Sequence, residues 1–283
     1  MKKIFLINIV LIVLLLCINM LAQDQTAVSK DGVKINFNVE GSGEPALVFI
    51  HGWSCDNTVW AEQVKTFSPK YKVVTIDLAG HGKSGIERKD YTLQMFGADV
   101  AAVVNQLGLT KVILIGHSMG GPVVIEAANL LKGKVIGLVG ADTFQNLGET
   151  ISAEQIDPFL QPFKENFVII TKAFVKMMFP PAADSLLVKK VSDKMSSAPP
   201  AIALNAFENM FRDNAIGALK ELQAPIISIN CDLYPVQVEQ NKKAVKFFEM
   251  KLMKGVGHFV MLEDPATFDK LLQEAVEELV KID

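Results

Sequence analysis

Residues 112–121 read Val112-Ile-Leu-Ile-Gly-His-Ser-Met-Gly-Gly121. The four leading apolar residues make a short strand with both faces buried. Glycines then break the run, and the stretch Gly120 to Leu131 resumes at helical spacing. A strand therefore enters Gly116-His117-Ser118-Met119-Gly120 and a helix leaves it. This is a G-x-S-x-G pattern in the strand–turn–helix setting that gives the pattern meaning. A sharp turn there presents the Ser118 hydroxyl at the strand's end, and the flanking glycines leave room for neighbouring backbone. The same five residues in an ordinary loop would carry no chemistry.

Working outward, short apolar runs alternate with longer amphipathic ones. Val33 to Val39 alternates like a half-buried strand, and Ala46 to Ile50 is continuously apolar. Lys72 to Asp77, Val135 to Gly140, Ile226 to Ile229 and Phe247 to Leu252 read as further strands. Thr92 to Leu107 has helical spacing, with Phe96, Val100, Val103, Val104 and Leu107 on one side, and Pro265 to Val280 closes the chain as an amphipathic helix. Strands alternating with helices specify an α/β fold with a mostly parallel sheet covered on both faces. Only Phe144 to about Leu222 breaks the alternation. It holds helical patterns without a strand and is rich in Phe, Met and Pro, Phe159, Phe174, Met177 and Met178 among them. The expected organisation is a core of residues 23–143 and 223–283 with a helical cap at 144–222, and the plainer alternative is a helical subdomain serving stability alone.

Composition excludes several classes. The 283 residues are 50% hydrophobic and 21% charged, with a mean hydropathy of +0.29; such a chain has enough apolar material to fold. Twenty-eight basic against 31 acidic residues give a net charge of −3, with no basic excess for nucleic acid. Three cysteines make neither a disulfide scaffold nor a zinc site. No phosphate- or dinucleotide-binding loop and no metal-ligand spacing occurs, so no cofactor and no metal are expected. Lys2 and Lys3 precede an apolar run, Ile4 to Ile18, that ends in a polar stretch after Ala22. This is the layout of a cleaved signal over residues 1–22, with an uncleaved anchor or a lipoprotein tethered through Cys17 as alternatives. Export to the periplasm or exterior is the expectation. Cleavage removes two lysines and no acid, leaving a charge of −5, and no later segment is long and apolar enough to span a bilayer.

From about residue 30 onward the chain resembles the α/β-hydrolase family, in its serine esterase and lipase-like branch with a helical cap. The resemblance rests on Phe49-Ile-His-Gly-Trp53, Asp77-Leu-Ala-Gly-His-Gly-Lys-Ser84, the turn around Ser118, and Gly257-His258-Phe259 before Glu263-Asp-Pro265. It implies Ser118 as nucleophile, which at its ordinary pKa needs a base. His258, in a glycine-flanked loop between the last strand and the last helix, lies where the family's base lies. Of the other histidines, the resemblance makes His51 and His81 structural, and His117, next to the nucleophile, should point elsewhere. An oxyanion hole is expected from the main-chain amides of Met119 and Trp53, although Trp53 could serve packing alone.

The acid that orients the base stays open between two residues. Asp232 follows the strand at 226–229, the family's usual location, but the usual spacing falls nearer Tyr234. Asp142 ends the preceding strand, where some branches carry the acid and others only a turn cap. A serine nucleophile speaks against dehalogenase and epoxide hydrolase chemistry, which this family runs on aspartate. Cys55 and Cys231 are expected as buried or pocket-lining thiols rather than a disulfide. The expected activity is hydrolysis of an ester or related acyl compound of small-molecule size and apolar character. C–C, lactone or amide hydrolysis, cofactor-free perhydrolysis, and ligand binding without catalysis are the alternatives on the same scaffold.

Overall fold

The computed structural model describes residues 25–148, 152–213 and 215–283; the expected leader, Cys17 included, lies outside the described residues. The strands are β1 Gln25–Val28, β2 Lys34–Glu40, β3 Ala46–Ile50, β4 Val73–Ile76, β5 Val112–His117, β6 Val135–Ala141, β7 Ile226–Cys231 and β8 Phe248–Met253. Between them run helices α1 Ala61–Phe67, α2 Leu93–Gln106, α3 Gly120–Leu130, α4 Ala153–Glu165, α5 Phe167–Met177, α6 Ser185–Ser196, α7 Pro200–Asp213, α8 Ile216–Leu219, α9 Val238–Ala244, α10 Val260–Glu263 and α11 Pro265–Ile282.

The described strands form one sheet in the order β1-β2-β4-β3-β5-β6-β7-β8. The first two pairings are antiparallel, and all those from β4 to β8 are parallel. The chain belongs to the α/β class for a readable reason: every residue of β3, β5 and β7 is buried, as strands covered on both faces must be. Edge strand β8 mixes Glu249 and Lys251 into its run because less covers it. Helices α2 and α3 pack on one another and on the sheet, while α1 and α11 pair in a second layer. Thr92 caps α2 by accepting from the Met95 amide at 3.3 Å, and Asp264 caps α11 by accepting from Thr267 at 3.1 Å, with Pro265 in its first turn.

Register carries this order to the site. Ile50 pairs with Gly116, His117 with Ala141, and Ala141 with Ile229, so β3, β5, β6 and β7 end level and release their loops at one edge. β3 leads outward to β4 on one side while β5 lies on its other side, so the chain's direction across the sheet reverses between β3 and β5. Such a reversal opens a crevice at the strands' carboxyl ends, the usual place for a ligand in an open α/β sheet. Helices α4 to α8 lie between β6 and β7. Trp53, in the loop after β3, ties them down: its Nε1 donates to the Ala203 carbonyl at 2.7 Å, and its ring stacks on Phe207 at 4.2 Å. Lys194 of α6 adds an ion pair to Asp56 of the same loop. No helix among the described residues is long and apolar enough to cross a membrane.

Candidate active site

Ser118 sits in the turn between β5 and α3 at φ 52°. That left-handed conformation is unfavourable for a serine and costs on the order of 1–3 kcal/mol, so the surroundings must impose it. They do so by close approach. A Cβ on Gly116 would run into the Gly120 carbonyl, and one on Gly120 would lie 2.7 Å from the Ile50 oxygen. The Ser118 amide donates to the Ala141 carbonyl at 3.2 Å, which fixes the turn to the end of β6.

Asp142 follows directly on β6 and also has a positive φ, 43°. Its amide donates to the Ile229 carbonyl at 2.8 Å. The loop it begins is pinned by two buried asparagines: Asn230 Nδ2 donates to the Thr143 carbonyl at 2.9 Å and Asn241 Nδ2 to that of Phe144 at 2.7 Å. The carboxylate is 1% exposed and satisfied on both oxygens. Oδ1 accepts from the Cys231 amide at 3.0 Å, and Oδ2 lies 2.6 Å from His258 Nδ1. Because a carboxylate accepts, Nδ1 carries the proton in this pair and Nε2 is left as the ring's basic nitrogen.

The two aspartates that the sequence leaves in competition are thus separated. Asp142 is brought to His258, whereas Asp232 accepts from the Gly255 amide at 3.1 Å on the exposed side of its loop. Tyr234, where the usual spacing would put an acid, donates its hydroxyl to the Met177 carbonyl at 3.3 Å.

The remaining histidines are buried and held neutral by burial. His51 is pushed down to about 4 and His81 to about 3. His51 Nε2 accepts from the Leu78 amide at 3.1 Å and its Nδ1 donates to Gly52, so it joins two loops. His117, beside Ser118, donates from Nε2 to the His258 carbonyl at 3.0 Å. Burial holds its pKa well below the usual histidine range, so the ring is neutral and carries its single proton on Nε2. Its adjacency to Ser118 is legible in the sequence; the bond to His258 is not, since the two lie far apart along the chain.

Trp53 and Met119 flank Ser118 from the loops after β3 and β5. Among the described residues neither main-chain amide has an acceptor. Gly52 must stay bare, because a Cβ there would lie 2.8 Å from His117 Nδ1 and 3.1 Å from Ser118 Cβ. Cys55 and Cys231 are both free and buried, and burial pushes each thiol up to about 12, so neither is a thiolate at neutral pH.

Ser118 and His258 open into a cavity of about 830 Å³ beneath the cap. Phe159, Phe174, Phe207 and Phe211 line it together with Met177, Met195 and Met210. Gln145, Gln155 and Tyr234 supply polar groups, and no Asp, Glu, Lys or Arg is among the described lining residues. No group of three or more His, Cys, Asp or Glu among the described residues could hold a metal ion.

A sheet reversing at β3/β5, a strained serine at its edge and a histidine–carboxylate pair beside it define a hydrolase-type scaffold. The model of the Alpha/beta hydrolase family matches residues 47–271, and the chain belongs to that family. Among its relatives, Karrikin insensitive 2 receptor B of Petunia hybrida is 27% identical over 218 residues, covering 72% of this chain and 80% of the receptor. The structure of an esterase from Exiguobacterium antarcticum superposes with a TM-score of 0.80 at 20% identity, over 90% of this chain and 100% of the esterase. That of the esterase RhEst1 from Rhodococcus sp. gives 0.74 at 25% identity, over 90% of this chain and 99% of the other.

Proposed function

We propose that this chain is a serine hydrolase that cleaves a carboxylic ester or related acyl bond with an apolar acyl or leaving group, through an acyl-enzyme intermediate. One observation carries the reading: His258 Nδ1 lies 2.6 Å from the buried Asp142 carboxylate, and His258 shares a cavity with Ser118 held at φ 52°. In this mechanism His258 Nε2 takes the Ser118 proton as the oxygen attacks the carbonyl, and Asp142 orients the ring and stabilises the imidazolium. The Met119 and Trp53 amides donate to the developing oxyanion. The protonated ring then gives its proton to the leaving group. Water, deprotonated by the same nitrogen, releases the acid and restores the serine.

The substrate class follows from the lining. Phenylalanine and methionine side chains favour apolar groups, and the described lining residues offer no charged partner for an ionised substrate. Nitrophenyl esters of graded acyl length should turn over at rates that Ser118→Ala abolishes. Diketones, lactones and peracid formation assayed beside them discriminate the sister reactions. Faster Ser118-dependent turnover of one of those than of any ester would replace the ester assignment.

The likeness to a receptor favours a second reading, a ligand-binding protein on a hydrolase scaffold. Equal binding of one ligand by wild type and Ser118→Ala, with turnover by neither, is the result that supports it. Export is also proposed, on the basic start and apolar run of residues 1–22. A mature N-terminus at Gln23 in protein recovered outside the cytoplasm supports it, and retention of Met1 in the cytoplasm contradicts it.

A further inference from the structure

The three residues around His258 have their main-chain groups individually engaged. The Gly257 amide donates to Glu263 Oε2 at 2.9 Å and the Phe259 amide to Glu263 Oε1 at 3.2 Å, so one carboxylate straddles the histidine. The amide of His258 itself donates to the Met178 carbonyl at 2.7 Å, directly after α5 of the cap. The His258 carbonyl accepts from His117. Beside this, Phe179 stacks on Phe259 at 5.3 Å with the rings 11° apart. The seat is tight enough that any side chain at Gly257 would collide with the Met178 oxygen.

We propose that Glu263 is a positioning residue for the base and that the cap segment Met178–Phe179 is its counterpart, so the imidazole is set by one holder from the core and one from the cap. The inference rests on reading His258 as the general base. Glu263 is suited to the task because a carboxylate accepting two amides makes charge-assisted bonds, stronger than those between neutral groups. The cap-side bond has a different consequence. Any displacement of α5 away from the sheet breaks the Met178 bond to His258, so the base is fully ordered only with the cap seated. Misplacing a catalytic group by about 1 Å can cost on the order of 10²-fold in rate. Neither Glu263 nor Phe179 lines the cavity, so their removal leaves the substrate's own contacts in place.

Four proteins test this: wild type, Glu263→Ala, Glu263→Gln and Phe179→Ala. Each is assayed for ester hydrolysis, for folding by circular dichroism, and for the low-field proton resonance of His258 Nδ1. Glu263→Ala is expected to lower kcat by about 10- to 100-fold with KM within about threefold, the range typical of groups that orient an active residue. Glu263→Gln keeps one acceptor oxygen and should recover to within about fivefold of wild type. Phe179→Ala should lower kcat by about three- to tenfold without a matching rise in KM. The Nδ1 resonance should shift or broaden in Glu263→Ala and move less in Glu263→Gln. A folded Glu263→Ala with kcat within about twofold and an unmoved resonance overturns the assignment, as does a loss confined to KM. Should Glu263→Ala fail to fold, Phe179→Ala decides, and a kcat unchanged from wild type in that folded variant overturns the proposal. Were wild type to show no Ser118-dependent turnover, the hydrolase reading would fail separately. The Nδ1 resonance alone would then judge the clamp.

Discussion

The carboxyl edge of the sheet and the cap above it are built on different physical principles. At the edge, directional bonds do the placing: two residues at positive φ, Ser118 and Asp142, are held by strand-to-strand amides, asparagine side chains and glycines without room for a Cβ. The cap presents rings and thioethers that pack by contact, such as Phe159 against Phe163, Phe174, Phe207 and Phe211. Bonds of fixed length suit chemistry that fails when atoms move by an ångström, whereas soft apolar packing suits a surface that sorts substrates by size. Substitutions at the edge should therefore act on rate, and substitutions among the cap rings that line the cavity on selectivity.

The largest contrast lies within the edge itself. Asp142→Asn should lower ester turnover by about 10²- to 10⁴-fold, because an amide in that place no longer stabilises the imidazolium. Asp232→Asn should stay within about threefold, the scale expected where only an exposed turn bond is altered. Steady-state kinetics on one nitrophenyl ester reads both. Comparable losses in the two variants would break the assignment.

In the cap, Phe211→Ala enlarges the cavity without touching the edge. It should raise the preference for a longer acyl chain over a short one by about tenfold, since one methylene in an apolar pocket is worth about 1–3 kcal/mol. A matching fall in kcat for both esters would instead make Phe211 part of what orders the base. The edge also holds every histidine of the chain, and the cap holds none. His51 and His81 have folded pKa values near 4 and 3, below the value near 6.5 expected unfolded, so between these limits the unfolded chain binds more protons. Stability is therefore fully present above about pH 6.5 and lost as pH falls, by up to about 1.4 kcal/mol per pH unit for each such histidine. Urea melts at pH 7.5, 6 and 5 should show this decline, and a midpoint constant over that range would contradict it. The smallest expected effect is at the junction of the two regions. Lys194→Met removes the ion pair to Asp56 and should lower Tm by about 2–4 °C, the shift expected for about 1 kcal/mol in a chain of this size.

How much the sequence discloses follows the same division. The alternation of apolar runs with amphipathic ones locates β3 to β7 because strands buried on both faces are predominantly apolar, and the edge strand β8 is read from the shorter apolar run before the closing helix. β1 escapes such reading, since four mostly exposed residues carry no periodicity, and α1, α9 and α10 are too short to declare themselves. Ser118 and His258 are legible because local pattern marks them: a glycine-framed turn and a glycine-flanked loop. The partner of His258 is not, because choosing between Asp142 and Asp232 depends on backbone twist at two strand ends. Asp142 reaches the ring from a left-handed turn that Asn230 and Asn241 hold from distant parts of the chain. Glu263 is visible in sequence as part of a motif, but its two bonds around His258 appear only once the loop folds back on α10.

The central question is whether His258 activates Ser118. Reaction of the folded protein with a fluorophosphonate probe, followed by mass mapping of the adduct, measures that. The expected result is a single adduct on the peptide containing Ser118, absent in His258→Ala and strongly slowed in Asp142→Asn. Folded wild-type protein that acquires no adduct, or labels equally well without His258, would contradict it.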